Sequence, residues 1–443
     1  MTTFSPPSAP ARERRSASRR VVVASTLGTA IEWYDFYLYS TASALVLGPL
    51  FFPGRSDTAT MLAAFATYAA GFVARPLGGI LFGHFGDRYG RKSMLVITLL
   101  VMGGSTLLVG ALPTYEQAGL TAPVLLVLLR VLQGIGIGGE WGGGALMAAE
   151  HAPPHRRGLY TAFPAAGFPI GLFASTGVFA LVSRLPEDDF LSWGWRLPFL
   201  ASFALVAVGL FVRLGVRESP VFVAERHAGR LTNAPLRDVL RGQPGRVVRG
   251  ALAALGLAMV VSTFSVYFLS WAAETSGRRD VVLTGLLVGA LAEAVLLPVF
   301  GALSDRWGRK PVMLLGYTVS AAVALPAPYW LGSSHASWTV IAYVLAMGIG
   351  HAAVYGGFSA FLIDLFPTRH RYSAIAVTYQ LGATVASFGP LLATALAGAS
   401  PTPSPMVLIL LCCLALGALA VATAPVGSPR SAVTRQTDRA FER

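Results

Sequence analysis

Three side chains in this sequence carry charge near the middle of long apolar runs. Glu32 and Asp35 stand in the run 21–48, and Arg130 in the run 121–148. A charge at the middle of a bilayer costs about 2.5–3.5 kcal/mol on insertion scales, so it implies a task and a partner. Glu32 and Asp35 are three apart and share a helix face, as do Arg130, Gln133 and Ile137, with Glu140 and Trp141 further along at helical spacing. Burial favours the neutral form of a carboxyl, whereas a neighbouring arginine favours the charged form. A ligand that competes for the arginine therefore changes the proton affinity of the acid. On this reasoning Glu32 and Asp35 are the proton-binding candidates, and Arg130 is an anchor or counter-charge. The competing account is a fixed ion pair that only specifies helix packing.

Further polar or aromatic groups occur at ligand-binding depth. Arg75 precedes Pro76 in the second run, where it can meet an anion or hold an acidic helix end. His351 and Tyr355 are four apart in the tenth run, and Tyr34 and Tyr37 flank the two acids. Together with Arg130, Gln133, Glu140 and Trp141 these form the expected small-molecule lining. Glu293, in the eighth run, has no partner that the sequence reveals. The two cysteines, Cys412 and Cys413, are adjacent, where a disulfide is strained, and they form no metal or redox framework. No cofactor is expected; the proton itself is the coupling ion.

The elements that position these groups follow from composition. Of 443 residues, 54% are hydrophobic and only 12% charged, about half the charge of a soluble domain. Twelve runs are long enough to cross a hydrocarbon core of about 30 Å as helices: 21–48, 59–83, 93–112, 121–148, 158–183, 195–215, 249–274, 281–303, 312–331, 337–365, 372–397 and 404–424. They are too long for barrel strands. The expected fold is an all-α membrane protein of twelve transmembrane helices.

The net charge of +13 points to nucleic acid only if the basic residues form one footprint. They do not. All but seven of the 34 lysines and arginines fall on one side of the twelve spans; the seven are Arg55, Arg75, Arg130, Arg184, Arg196, Arg278 and Arg279. This is the positive-inside bias. It excludes nucleic acid as a partner, leaves membrane lipid as one, and places both termini in the cytoplasm. The basic start resembles a signal peptide, but Glu32 and Asp35 interrupt its apolar core, so no cleavage is expected.

An internal repeat sets the domain organisation. Gly83-His-Phe-Gly-Asp87-Arg88-Tyr-Gly90-Arg91-Lys92 recurs as Gly301-Ala-Leu-Ser-Asp305-Arg306-Trp-Gly308-Arg309-Lys310. Glu150, Pro153 and Arg157 recur at almost the same offset as Asp364, Pro367 and Arg371. The expected halves are 21–216 and 249–424, each of six helices. A polar linker spans 217–248, and disordered tails are expected at 1–20 and 425–443. Charges of the repeated segments are candidates for a cytoplasmic gate, the first loop more strongly than the second. Gly-rich stretches such as Gly134 to Gly139 fit close helix packing, because no strand or P-loop lysine accompanies them.

The loop 83–92, its copy, and Arg130-Val-Leu-Gln-Gly-Ile-Gly together resemble the major facilitator superfamily. Glu32-Trp-Tyr-Asp-Phe-Tyr, Ala74-Arg-Pro-Leu-Gly-Gly, Gly138-Gly-Glu-Trp-Gly-Gly, Trp193-Gly-Trp-Arg-Leu-Pro-Phe and Arg217-Glu-Ser-Pro are similar to its metabolite:proton symporter family. The Glu140-Trp141 and Glu150-His-Ala-Pro versions look closest to the shikimate permease-like branch. The resemblance implies a monomeric secondary transporter of the inner membrane. It also implies proton-driven uptake of a small organic acid or zwitterion through a cavity lined by helices 1, 4, 7 and 10. Without a C-terminal coiled coil the chain departs from the osmosensory branch.

Overall fold

The computed structural model describes residues 11–42, 46–53, 57–228, 235–397 and 402–426, and among these every regular element is helical. A chain in hydrocarbon must satisfy its backbone internally, and a helix does so within one segment. The spanning helices are α1 (Ala11–Ala42), α2 (Asp57–Tyr89), α3 (Arg91–Ala111), α4 (Thr121–Glu150), α5 (Arg157–Ala165 and Gly167–Val182) and α6 (Arg196–Leu214) in the first half. The second half has α7 (Pro244–Val261, continuing to Ser276), α8 (Arg279–Trp307), α9 (Arg309–Ala324), α10 (Ala336–Leu365), α11 (Arg371–Ser387 and Gly389–Ala397) and α12 (Ser404–Thr423). Among the described residues, nine are long and apolar enough to cross a bilayer by length and composition. The other three expected spans fall on α1, α2 and α9. Phe211, Val295, Leu391 and Leu408 point outward from the bundle, the surface that lipid covers.

The two halves repeat one packing scheme. α2 lies on α4 and α1 on α5 in the first half, as α8 lies on α10 and α7 on α11 in the second. Across the halves, α2 meets α11 and α5 meets α8, again as symmetry partners, and α4 meets α10 and α11. Gly90 and Gly308 end α2 and α8 with φ of 120° and 100°, which only glycine adopts without strain. The repeated Asp-Arg-aromatic-Gly-Arg-Lys sequence therefore folds into the same turn twice.

Boundaries differ from the sequence reading at two places. Residues 11–20, assigned to a disordered tail, continue α1 as helix, because their alanines and arginines are good helix formers. Residues 1–10 and 427–443 of the expected tails lie outside the described residues. The linker contains helices Pro220–His227 and Pro235–Gly242, and α7 begins at Pro244, a residue suited to a helix start. Val239 is fully buried where the second linker helix packs on α2, α7 and α11.

Candidate functional site

The arginine-rich face is held shut by two equivalent contacts. Asp87, at the end of α2, accepts hydrogen bonds from the backbone N–H groups of Tyr372 (3.2 Å) and Ser373 (2.9 Å) at the start of α11. Asp305, at the end of α8, accepts from those of Gly158 (2.8 Å) and Leu159 (2.9 Å) at the start of α5. Each aspartate thus satisfies orphan donors, and meets the positive dipole end, of a helix in the opposite half. Gly83 lets α2 lie directly on Ser373, since a methyl there would press on the Ser373 backbone. Behind each aspartate the arginine of the same loop is tied down. Arg91 pairs with Glu150, and Arg309 bonds Asp305 (2.6 Å) and reaches Asp364 (3.4 Å). Arg371 reaches Glu150 across the halves at 3.7 Å.

Both loops make the same capping contact, so the geometry does not set the first apart from its copy. Three gate candidates also change role. Arg88 and Arg306 point to solvent, and Arg157 has no carboxylate at ion-pair distance among the described residues, so none of the three is seen to close the face. Lys92 instead ties α3 to the end of α6, its ammonium on the Leu214 carbonyl (2.7 Å) and its amide on Glu218 (3.1 Å). Ser219 joins this cluster: it donates to Glu150 at 2.5 Å and caps the first linker helix by accepting from Phe222 N–H at 3.1 Å.

A charged buried capping bond contributes about 1.5–3 kcal/mol. The double variant Asp87→Asn, Asp305→Asn is therefore expected to open this face in a larger share of molecules. Its readout is thiol labelling at Ala376→Cys, a contact point of α11 with α4, in a background with Cys412 and Cys413 replaced by serine. Labelling should rise about tenfold or more for a population shift of that energy. An unchanged rate would leave the aspartates as topology markers only.

Above the sealed face the halves meet through an aromatic layer. Trp141 of α4 donates its indole N–H to the Tyr355 hydroxyl of α10 (2.8 Å) and stacks on Tyr379 of α11 at 3.9 Å between ring centroids. Trp141 and Tyr355 hold equivalent positions in the repeat, so the two halves touch residue on equivalent residue. Phe168 of α5 packs edge-on against Trp33 (4.7 Å) and beside His351 (6.3 Å), with Tyr37 next to it. Of the expected lining, this layer brings together Tyr37, Trp141, His351 and Tyr355. It adds Trp33, Phe168 and Tyr379, whose ring character alone did not separate them from lipid-facing aromatics.

Glu32 and Arg75 lie in the same region. Glu32 is 3% exposed, and one of its carboxylate oxygens has no hydrogen-bond partner. Arg75 lies within electrostatic reach of Glu32, as do Tyr355 and Tyr379. Arg75 is 6% exposed, with its guanidinium over the rings of Phe72 (4.3 Å) and Phe36 (5.4 Å). No carboxylate lies within ion-pair distance of it among the described residues. Ring faces compensate a buried cation only in part, by about 0.5–2 kcal/mol.

Asp35 and Arg130 do not meet directly, contrary to expectation. Thr106 of α3 donates to Asp35 at 2.8 Å, Gln133 donates to Thr106 at 2.7 Å, and Arg130 donates to Gln133. Arg130 also lies over the Tyr39 ring at 4.0 Å. All of these residues belong to α1, α3 and α4, so the relay is internal to the first half. Arg130 and Gln133 are thereby engaged with each other. Gly134 lets α4 lie directly on α2, because a side chain there would collide with the Gly71 carbonyl.

Two further lining candidates are spoken for. Glu140 pairs with Arg213 of α6 and accepts from Thr98 at 2.8 Å, and Tyr34 donates to the Pro198 carbonyl at 2.8 Å. Both pack α6 against its neighbours. Arg213 falls in the last turn of its span, where sequence alone does not separate it from the arginines of the charge bias.

Comparison with known proteins decides the family. The chain is 42% identical over 384 residues to the inner membrane metabolite transport protein YhjE of Escherichia coli K12, covering 84% of this chain and 87% of that one. It is 39% identical over 389 residues to the Shikimate transporter of the same strain, covering 86% and 88%. The family described as "Major Facilitator Superfamily" matches residues 280–442, and "Sugar (and other) transporter" matches 21–249. The chain belongs to the major facilitator superfamily. This superfamily member is a transporter and not an enzyme, as its relatives are. A Proline/betaine transporter of E. coli K12 is 34% identical over 392 residues, covering 85% of this chain and 77% of that one. The fold is that of the proton:xylose symporter XylE bound to 6-bromo-6-deoxy-D-glucose, with a TM-score of 0.77 at 18% identity over 94% of this chain and 98% of the other.

Proposed function

We propose that this transporter takes up a small carboxylate-bearing metabolite together with protons, by alternating access across the inner membrane, as a monomer with both termini in the cytoplasm. The observation that carries the reading is Arg75, a buried cation over the Phe72 and Phe36 rings with no carboxylate at ion-pair distance among the described residues, within electrostatic reach of Glu32. A carboxylate of the cargo supplies the missing anion. Once the cargo draws the Arg75 field, Glu32 loses its main favourable charge and takes a proton in exchange. Asp35, on the relay to Arg130, is the second acid of the same helix face. The relatives named for metabolites and shikimate support a polar, acid-bearing cargo. The arginine-rich, sealed side is the cytoplasmic one by the charge bias. Rocking of the halves then breaks the Asp87 and Asp305 caps and exposes the central layer to that side.

The test is uptake of labelled shikimate, proline and glycine betaine into proteoliposomes with an imposed proton gradient, with and without a protonophore. Shikimate is expected to accumulate above its outside concentration only while the gradient lasts. Uptake that ignores the protonophore would make the protein a proton-independent facilitator or an exporter on the same fold.

A further inference from the structure

A second buried acid pairs across two helices on the far side of the central layer. Glu293, near the middle of α8, is fully buried, and its Oε1 lies 2.6 Å from Nδ1 of His351 on α10. Its other oxygen has no hydrogen-bond partner. No lysine or arginine lies within ion-pair distance of it among the described residues. A permanently charged carboxylate at that depth would cost several kcal/mol, and an imidazole shares such a charge only by sharing a proton. His351 closes the π-helical stretch Val344–His351, a local widening of a helix that is frequent at functional sites.

The repeat gives this pair a position relative to the cargo site. Asp87 and Asp305 are equivalent, and Arg75 and Glu293 each lie twelve residues before their aspartate, on α2 and α8. The first half thus presents a base where the second presents an acid. His351 also precedes Tyr355 by one helical turn, and its ring lies beside Tyr355 (5.4 Å) and Phe168 (6.3 Å). Among the described residues Tyr355 on α10 is the titratable group beside the pair, and it in turn lies within electrostatic reach of Tyr379 on α11 and Glu32 on α1; from α5 the Phe168 ring lies against His351.

We infer that Glu293 and His351 form a second proton-binding site, in the C-terminal half, which loads and unloads one proton per transport cycle. The proton arrives from water when the central layer is open on one side, forming an O–H or N–H bond at the pair. It returns to water on the other side, with no redox change. This rests on the proton-coupled reading above, and the experiment separates the two.

The full chain, reconstituted in liposomes, is titrated by infrared difference spectroscopy without cargo, as wild type, Glu293→Gln and His351→Gln. Glutamine at 293 keeps an acceptor for the imidazole, so packing is retained while the titrating group is lost. A carboxyl band that appears on acidification is expected in the wild type, absent in Glu293→Gln and moved in His351→Gln. The proton-to-shikimate ratio from reversal potentials should fall by one proton in Glu293→Gln with shikimate exchange preserved. Superimposable spectra, or an unchanged ratio, would overturn the proposal. A titrating Glu293 band together with wild-type uptake that ignores the protonophore sinks the symport reading instead and leaves the proton site standing.

Discussion

Glu32→Gln is expected to abolish concentrative uptake of shikimate while leaving shikimate exchange across the membrane near the wild-type rate. The reason lies in what Glu32 lacks. Asp35 is held by Thr106 in a relay that ends on Arg130, so its charge is supported within one half. Glu32 has an oxygen without a partner and depends on the field of Arg75, which is itself available to a cargo anion. Coupling free energies between two ligands typically reach about 1–3 kcal/mol. A neutral glutamine mimics the protonated state and removes that coupling altogether, so the internal concentration should rise only to the external one. Exchange requires no net proton movement and should survive. If Glu32 were only a packing residue, the variant would lose thermal stability and exchange together, with accumulation by the surviving molecules unchanged. Asp35→Ala offers the contrast: it removes the acceptor at the end of a four-residue relay, so both exchange and accumulation should decline.

How far the sequence carries such an argument depends on whether a contact is local. The twelve spans, the two halves and the twin loops were legible because each is written as a contiguous run or repeat. The loops even showed their latch chemistry, since an aspartate followed by a glycine turn and an arginine recurs in both. What they touch was not legible, because the Asp87 partners are backbone amides of α11, nearly three hundred residues away. The same limit explains the revised lining. Thr106 is one hydroxyl in an apolar helix, Arg213 sits in the last turn of a span like any topological arginine, and Glu293 has no charged neighbour in sequence. Each gained its meaning from a helix brought alongside in space. One signal was present and usable: superposing the two repeats places Trp141 on Tyr355 and Arg75 opposite Glu293. That superposition marks the central layer without coordinates. It also separates Arg75 from Arg130, which helix depth alone had ranked first as cargo anchor.

The role of Arg75 leads to the second large effect. Arg75→Ala is expected to raise the half-saturating concentration for shikimate exchange at least about thirtyfold, since truncating one partner of a buried charge pair costs roughly 2–5 kcal/mol. Arg75→Lys should recover part of this loss. Its ammonium keeps the charge but not the planar fork that meets a carboxylate with two bonds, nor the fit over the Phe72 and Phe36 rings. The alternative role, in which Arg75 only steadies Glu32, predicts a different pattern. Alanine would then leave shikimate affinity unchanged and alter only its dependence on pH. The double variant Arg75→Ala, Glu32→Gln separates the two cases. If Arg75 binds the cargo, removing Glu32 as well does not restore affinity, because the anion still has no cation to meet. If Arg75 serves Glu32 alone, the double variant keeps the shikimate affinity of Glu32→Gln by itself and loses the altered pH dependence of Arg75→Ala.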